Sequence, residues 1–196
     1  MEDGVFAATW YKFYSRKAQR NVIIRPSGPC YAYTKFVTTT GERTSDKVKI
    51  YRPLSKNVKS KWLTNCTADD IGGLHIPFMD YQTLVISKSY KDWRVLRNAG
   101  VRNCIWFQNE GMFPSEDFII NCLGKFENIF VLFDNDEPGL IAAENLAEYI
   151  NSLFEQDKAH PIFIPLYLDC KDPAELRKTG QNQLQEVLKQ LQCISL

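Results

Sequence analysis

The segment of this sequence best suited to chemistry is Asp134-Asn135-Asp136, which follows an apolar run at residues 129–133. The run has the length and composition of a buried strand. Open α/β sheets bind their ligands at the carboxyl ends of such strands, and carboxylate oxygens are the ligands that Mg²⁺ prefers. We therefore interpret Asp134 and Asp136 as candidate ligands of one divalent cation, Mg²⁺ or Mn²⁺.

The same acids have a purely structural alternative. Asp and Asn are favoured at the N-cap of a helix, and Pro is favoured at its first position. Asp136 or Asn135 could therefore cap a helix that begins near Pro138. Capping and metal binding do not exclude one another, so the pattern leaves both open.

Strands and helices alternate from residue 83 onward, and they determine where these acids lie. The sequence predicts strands at residues 83–87, 101–107, 128–133 and 161–166. It predicts helices at residues 90–98, 114–123 and 138–153, with a closing helix at 181–193. Strands separated by helix-length segments favour parallel βαβ units, so we expect an α/β parallel-sheet sandwich over residues 82–196.

The first 81 residues have a different pattern. Short β-branched and aromatic runs alternate with Pro and Gly, which favours a smaller, mostly antiparallel β subdomain. The charge divides along the chain in a similar way, with 13 Lys and Arg against 7 Asp and Glu in residues 1–83, and 11 against 16 in residues 84–196. Such a division indicates a basic surface that meets a polyanion.

A basic strip at residues 47–62 is the clearest part of that surface. It contains six cations and no acid, with aromatic residues at Tyr51 and Trp62. Cations neutralise phosphates and exposed rings stack on single-stranded bases, so the strip is a candidate nucleic-acid surface, although most charge runs are simply solvated. The candidate contact residues are Lys49, Arg52, Lys56, Lys59, Lys61 and Trp62.

Several classes of protein are disfavoured by what the sequence contains. Its apolar runs are far shorter than the roughly 20 residues of a membrane span, and the N-terminus lacks the layout of a secretory signal, so we expect a cytoplasmic protein. The six cysteines are scattered without a CxxC pair, which favours free buried thiols over disulfides or a zinc site. The sequence has no P-loop, GxSxG or HExxH motif.

Three separated motifs resemble the Toprim domain of bacterial-type DNA primases, especially the form in their phage-encoded relatives. The motifs are Leu84 to Asp92, Asp134 to Gly139, and Lys171 to Leu176. The resemblance covers about residues 82–180 and extends weakly upstream. In that family a glutamate after the first strand and a DxD after a later one bind the metals used for phosphoryl transfer, so the resemblance implies metal ligation by Asp134 and Asp136.

One position departs from the family pattern. Lys88 stands where the family has its glutamate after the first strand. Glu110 follows the second predicted strand and would emerge at the same edge of a parallel sheet, so we expect it to replace the missing carboxylate, unless it is a solvated loop acid. Lys88 and Lys91 could hold phosphates beside the metal. Asp92, Lys171 and Asp172 are weaker candidates, and Asp172 before Pro173 could cap a helix.

The resemblance implies a DNA primase, a nucleotidyltransferase that makes short RNA primers on single-stranded DNA during phage DNA replication. Its partners would be the template, ribonucleotides and a replicative helicase on another chain, in the host cytoplasm if the protein is phage-encoded. Two alternatives remain, a non-catalytic nucleic-acid-binding accessory subunit with a degenerate site at Lys88, and a Toprim nuclease.

Overall fold

The computed structural model describes residues 4–15, 17–38, 46–57 and 60–190. The strands are β1 (Val5–Ala7), β2 (Tyr11–Ser15), β3 (Arg20–Ile24), β4 (Tyr31–Tyr33), β5 (Phe36–Thr38), β6 (Lys49–Tyr51), β7 (Trp62–Thr64), β8 (Asp70–Gly72), β9 (Thr83–Ser87), β10 (Cys104–Trp106), β11 (Asn128–Leu132) and β12 (Ala159–Pro161). The α-helices are α1 (Tyr90–Ala99), α2 (Glu116–Asn121), α3 (Glu137–Asn151), α4 (Pro173–Thr179) and α5 (Gln181–Gln190).

The chain forms two compact units. The first contains Met1–Phe36 and Arg43–Cys66, and the second contains Val37–Glu42 and Thr67–Leu196. The units divide at Cys66 and Thr67, whereas the sequence placed the domain boundary between residues 81 and 82. The difference arises because β8 pairs with β10 and so belongs to the larger sheet.

The second unit is built on a six-stranded sheet with the order β12-β11-β9-β10-β8-β5. Strands β10, β9, β11 and β12 are parallel, whereas β8 runs antiparallel to β10. Ser87, the last residue of β9, pairs with Trp106 at the end of β10 and with Leu132 at the end of β11. Three neighbouring parallel strands therefore end at the same level, and the residues that follow them share one edge of the sheet.

Helices pack on both faces of this sheet. Right-handed crossovers place α1 on one face and α2 and α3 on the other, because the chain moves from β9 to β10 in one direction and from β10 through β11 to β12 in the opposite direction. Phe118, Ile119, Leu146 and Ile150 from α2 and α3 join the buried residues of the strands in one core cluster. The α/β sandwich expected from the sequence is confirmed.

The ends of α1 follow directly from its sequence. Ser89 caps the N-terminus by accepting a hydrogen bond from the amide of Asp92 at 3.2 Å. Gly100 ends the helix in the left-handed region with φ 109°, where a residue without a Cβ is strongly favoured. The capped start of α1 therefore lies two residues after Lys88.

The last strand was predicted in the wrong place. It covers Ala159–Pro161 rather than residues 161–166, and among the described residues one further ladder-like bond follows, from the amide of Ile162 to the carbonyl oxygen of Val131 at 3.0 Å. Pro161 is itself the last residue of β12, and Pro165, with φ −53°, precedes the 3₁₀ helix Leu166–Leu168, so the strand ends before the hydrophobic run does. The second predicted strand, residues 101–107, shortens to β10, and residues 191–193 of the predicted closing helix lie outside the described part.

The first unit contains small antiparallel sheets, as expected from the sequence. Strands β1-β4-β6-β7 form a four-stranded sheet, and β2 and β3 form a hairpin. Tyr11, Cys30 and Ile50 are the buried centre of its own small core. The antiparallel register sets Tyr51 of β6 opposite Trp62 of β7.

The cysteines in the described part of the chain are mostly buried. Cys30, Cys66, Cys104 and Cys170 are buried and Cys122 is half-buried, and none of these five residues lies in a disulfide. Cys193 lies outside the described residues. In the part of the chain that the structure describes, every helix is too short or too polar to cross a lipid bilayer.

Candidate functional site

Acidic and basic side chains gather at the carboxyl edge of the larger sheet. Lys88 directly follows β9, Glu110 lies on the loop after β10, and Asp134 lies just beyond β11. Because these three strands are parallel neighbours in register, the loops that follow them meet at one edge. The sheet therefore brings together residues that are far apart in the sequence.

Glu110, Asp134 and Asp136 form a compact group, which we call the acid trio. One carboxylate oxygen from each residue lies within 4.8 Å of one from both of the others. Asp134 is buried, whereas Glu110 and Asp136 are half-buried and open toward solvent. The juxtaposition of Glu110 with the two aspartates is the arrangement that the sequence led us to expect.

Two lysines lie inside this group. Lys88 Nζ is 2.5 Å from Asp134 Oδ2 and 2.6 Å from Glu110 Oε1. Lys171 Nζ is 2.5 Å from Asp136 Oδ2 and 3.3 Å from Asp134 Oδ2. Every acid of the trio therefore has an ammonium group in direct contact, and Asp134 Oδ2 has two.

The contacts between these lysines and acids favour the charged forms of Lys88, Lys171 and Asp136. Burial acts to lower the pKa of Lys88, but its hydrogen bonds to Asp134 and Glu110 outweigh this effect and raise that pKa above the usual lysine value. The hydrogen bond to Asp136 raises the pKa of Lys171, and the same bond lowers the pKa of Asp136. Both lysines and Asp136 are therefore charged at neutral pH.

Asp136 also has the structural role that the sequence left open. Its Oδ1 accepts a hydrogen bond from the amide of Gly139 at 3.1 Å, which makes Asp136 the N-cap of α3, while its Oδ2 contacts Lys171. Asn135 does not cap the helix. Its side-chain amide instead donates to the carbonyl oxygen of Ile164 at 2.6 Å.

Gly139 allows α3 to begin directly against Asp134. A Cβ at Gly139 would lie 2.2 Å from the carbonyl oxygen of Asp134 and 3.0 Å from its carbonyl carbon. Any other residue would push the helix and the loop apart. Sequence analysis missed this role, although the glycine closes the motif that begins at Asp134.

The segment around Lys171 is fixed by Asn135, which the sequence offered only as a possible helix cap, and by Glu175, which was not singled out. The amide of Asn135 donates to the carbonyl oxygen of Lys171 at 2.7 Å, and the amide of Lys171 donates to Glu175 Oε2 at 2.9 Å. The sequence contained two signals for these bonds. Asn135 lies between two acids, and Glu175 follows Lys171 by four residues. These bonds hold the Lys171 backbone beside Asp136.

Lys91, Asp92 and Asp172 form a second group of charges. Lys91 Nζ is 2.5 Å from Asp172 Oδ2 and 3.7 Å from Asp92 Oδ1. Asp172 Oδ1 caps α4 by accepting from the amide of Glu175 at 2.8 Å, as its position before Pro173 suggested. Burial, together with the charge of Asp172, raises the pKa of Asp92 to about 6.

The basic strip lies in the first unit and is only partly exposed. Tyr51 and Trp62 stack with ring centroids 4.0 Å apart, and Trp62 keeps 42% of its surface exposed. Lys49 Nζ lies 5.0 Å from the Trp62 ring centroid, and Lys49 itself is buried, which makes it a poor phosphate contact. Arg52 and Lys61 are half-buried, Lys56 is exposed, and Lys59 lies outside the described residues.

The acid trio fits a divalent cation on two grounds. Its donors are carboxylate oxygens, which Mg²⁺ and Mn²⁺ prefer. In addition, Asp134 is only 4% exposed, and its Oδ1 is buried without a hydrogen-bond partner among the described residues. Buried carboxylate oxygens normally have a partner, so this oxygen indicates that a group from outside the chain completes the site.

Comparison with solved structures identifies relatives in fold. The primase fragment of the bacteriophage T7 primase-helicase protein matches 88% of this chain with 16% identity and a TM-score of 0.58. A DNA primase domain from Pseudomonas aeruginosa matches 91% of this chain with 18% identity and a TM-score of 0.68. A DnaG primase catalytic domain bound to single-stranded DNA matches 91% with 16% identity and a TM-score of 0.65.

At these identities the comparisons establish the fold. The chain spans 67% of the T7 fragment but only 56% and 57% of the other two chains. No protein-family model matches the sequence, and no curated protein matches it. The structure therefore has the fold of primase catalytic domains, in agreement with the resemblance drawn from the three sequence motifs.

Proposed function

We propose that this protein is a DNA primase-type nucleotidyltransferase, which joins ribonucleotides into short primers on a single-stranded DNA template with the help of Mg²⁺ or Mn²⁺. The observation that carries the proposal is the acid trio at the carboxyl edge of a primase-like sheet. Its buried, unpartnered Asp134 Oδ1 supports a bound cation. The fold, which is that of primase catalytic domains, favours primer synthesis over other metal-dependent reactions.

In this proposal Asp134, Asp136 and Glu110 hold the cation. A divalent ion held there supplies positive charge that favours ionisation of the primer 3′-hydroxyl and offsets the charge of the departing pyrophosphate. Lys88 and Lys171 provide further positive charge at the same edge. The chain's contribution is thus mainly positioning and charge neutralisation, which dominate phosphoryl transfer.

Asp172, Lys91 and Asp92 have a supporting role in the proposal. The Lys91–Asp172 contact joins the start of α1 to the start of α4, and these helices carry the segments of Lys88 and Lys171. Lys91 is more than half exposed, so its ammonium group can also meet the phosphates of a nucleotide or a template strand.

Template binding is assigned to the basic strip. Arg52, Lys56 and Lys61 would neutralise backbone phosphates, and the exposed face of Trp62 would stack on a base. Such contacts hold the strand without reading its sequence. A replicative helicase on another chain would deliver the template, and the fusion of primase and helicase in the T7 protein supports this partner.

One observation favours a second candidate function. The lysines already neutralise most of the acid trio, as expected of a degenerate site in a non-catalytic accessory subunit that only binds nucleic acid. The two functions differ in whether the protein forms phosphodiester bonds.

The deciding experiment measures incorporation of labelled ribonucleotides on single-stranded DNA with Mg²⁺ or Mn²⁺. The wild type, Asp134→Asn and Asp136→Asn are compared, with Asp117→Asn, an exposed acid on α2, as the matched control. Primers from the wild type and the control but not from the two site variants support the proposal. Salt-sensitive binding without incorporation would support the accessory subunit, and shortening of the template would support a nuclease.

A further inference from the structure

Two lysines of the same chain already neutralise much of the negative charge of the acid trio. Three carboxylates contact two ammonium groups, so the cluster has a net charge of about −1. Asp134 Oδ2, the oxygen at its centre, accepts from both lysines. The side chains of the described residues therefore already fill the positions where a cation would contact this oxygen.

We propose that Lys88 and Lys171 are resident counter-cations, which leave the acid trio when a divalent ion binds and then hold the phosphates of the incoming nucleoside triphosphate. This inference rests on the proposed function and adds to it an exchange between lysine and metal. It concerns a position, Lys88, at which this chain departs from the acid of the primase family.

Displacement follows from distance and charge. A divalent ion binds carboxylate oxygens at about 2.0–2.2 Å, which is closer than the ammonium contacts of 2.5 and 2.6 Å that Lys88 makes. The two oxygens of Asp134 belong to one carboxylate, so an ion on Oδ2 or on the unpartnered Oδ1 would lie close to the ammonium groups of Lys88 and Lys171. Like charges at such a separation repel strongly in a partly buried site. At least one lysine must therefore move away from Asp134.

Both lysines are able to move and remain nearby. Their side chains are 24% and 49% exposed, so each ammonium group borders solvent. Each side chain has a flexible four-carbon stem. The backbone of Lys88 is held at the end of β9, and the backbone of Lys171 is held by its hydrogen bonds to Asn135 and Glu175. A displaced ammonium group thus stays within reach of a triphosphate at the same edge of the sheet.

The exchange predicts opposite effects on two affinities. A metal ion alone must break lysine–carboxylate contacts without replacement, whereas a metal ion with a triphosphate gives the lysines new anions. Removal of the Lys88 charge should therefore strengthen binding of the bare ion and weaken binding of the metal–triphosphate complex. A lysine that merely supports the fold would change both affinities in the same direction.

The test uses the full chain. Binding of Mn²⁺ alone is measured by electron paramagnetic resonance, and binding of a fluorescent, non-hydrolysable ribonucleoside triphosphate is measured at saturating Mn²⁺. Lys88→Met should bind Mn²⁺ about tenfold more tightly and the triphosphate about tenfold more weakly than the wild type. Lys125→Met, which removes an exposed lysine outside this cluster, should remain close to the wild type in both affinities.

The outcomes separate this inference from the proposed function. Unchanged or weaker Mn²⁺ binding by folded Lys88→Met would overturn the exchange, while primer synthesis by the wild type would leave the proposed function intact. Failure of both proteins to bind Mn²⁺, even with triphosphate present, would overturn the proposed function as well. Thermal melting followed by circular dichroism identifies a variant that has not folded, and in that case Lys171→Met is measured in its place.

Discussion

Lys88 Nζ lies 2.5 Å from Asp134 Oδ2, and this contact joins the ends of two neighbouring parallel strands. The same ammonium group contacts Glu110 beyond a third strand. Lys88 therefore lies between two acids of the same edge, and one of them, Glu110, lies on the loop after the adjacent strand β10.

The first prediction concerns Glu110. Glu110→Gln keeps the size of the side chain but removes one of the three negative charges that would hold the cation. Because even residues that only support metal ligands usually matter 10–100-fold, we expect at least a roughly tenfold loss of metal-dependent incorporation. The measurement is the incorporation rate over a range of Mn²⁺ concentrations, with Asp117→Asn as the control. Wild-type rates at every concentration would make Glu110 an ordinary loop acid.

The second prediction concerns Gly139. In Gly139→Ala the new Cβ would meet the backbone of Asp134, so the start of α3 and the Asp134 loop must separate. We expect the free energy of unfolding to fall by about 1–3 kcal/mol, as for other overpacked sites, together with weaker Mn²⁺ binding. Chemical denaturation and Mn²⁺ titration measure the two effects. Asn145→Ala, at an exposed position of the same helix, should change neither, and a harmless Gly139→Ala would contradict the close contact.

The third prediction concerns pH and Asp92. A folded-state pKa of about 6, above the usual aspartate value of 3.8, means that the folded protein retains a proton that the unfolded chain has lost. The contribution of Asp92 to stability is therefore fully present below pH 3.8 and is lost as the pH rises toward 6. The total loss is on the order of 3 kcal/mol.

Asp92→Asn removes this titration, so its stability relative to the wild type should increase between about pH 4 and pH 6.5. Denaturation at a series of pH values measures the difference. Asp117→Asn provides the baseline for an exposed aspartate. A difference between Asp92→Asn and the wild type that does not vary with pH would show that Asp92 ionises as an ordinary carboxyl group.

The fourth prediction separates the cations of the basic strip from its ring. Arg52→Gln and Lys61→Gln should each reduce the slope of log affinity against log salt for single-stranded DNA by about one, because each removes a phosphate contact. Trp62→Ala should weaken binding by about 1–3 kcal/mol and leave the slope unchanged, because stacking releases no counterions. Lys125→Gln is the control, and equal effects from all four variants would contradict the assignment.

The larger unit could be predicted well because its signals are local. Ser89 and Gly100 mark the ends of α1, and the apolar run before Asp134 marks β11. The place of Glu110 followed from the rule that parallel strands end at a common edge. The last strand was misplaced because its hydrophobic run continues to residue 166, whereas β12 ends at Pro161 and Pro165 precedes a 3₁₀ helix.

The details of the site depended on tertiary contacts that the sequence does not encode locally. The pairing of Lys88 with Glu110 depends on the loop after β10, and the approach of Lys171 to Asp136 depends on bonds to Asn135 and Glu175. The demand for glycine at position 139 appears only when α3 begins against Asp134. The burial of Lys49 was likewise hidden, because a charge run gives no direct information about which of its members face solvent.

The most direct test of the account is X-ray diffraction at the manganese absorption edge from crystals of the full chain with Mn²⁺ and a non-hydrolysable ribonucleoside triphosphate. The account predicts an anomalous peak in contact with carboxylate oxygens of Asp134 and Asp136, and Lys88 turned from Asp134 toward the phosphates. Manganese bound elsewhere, or a fully occupied triphosphate with both lysines still on the acid trio and no manganese peak there, would contradict it.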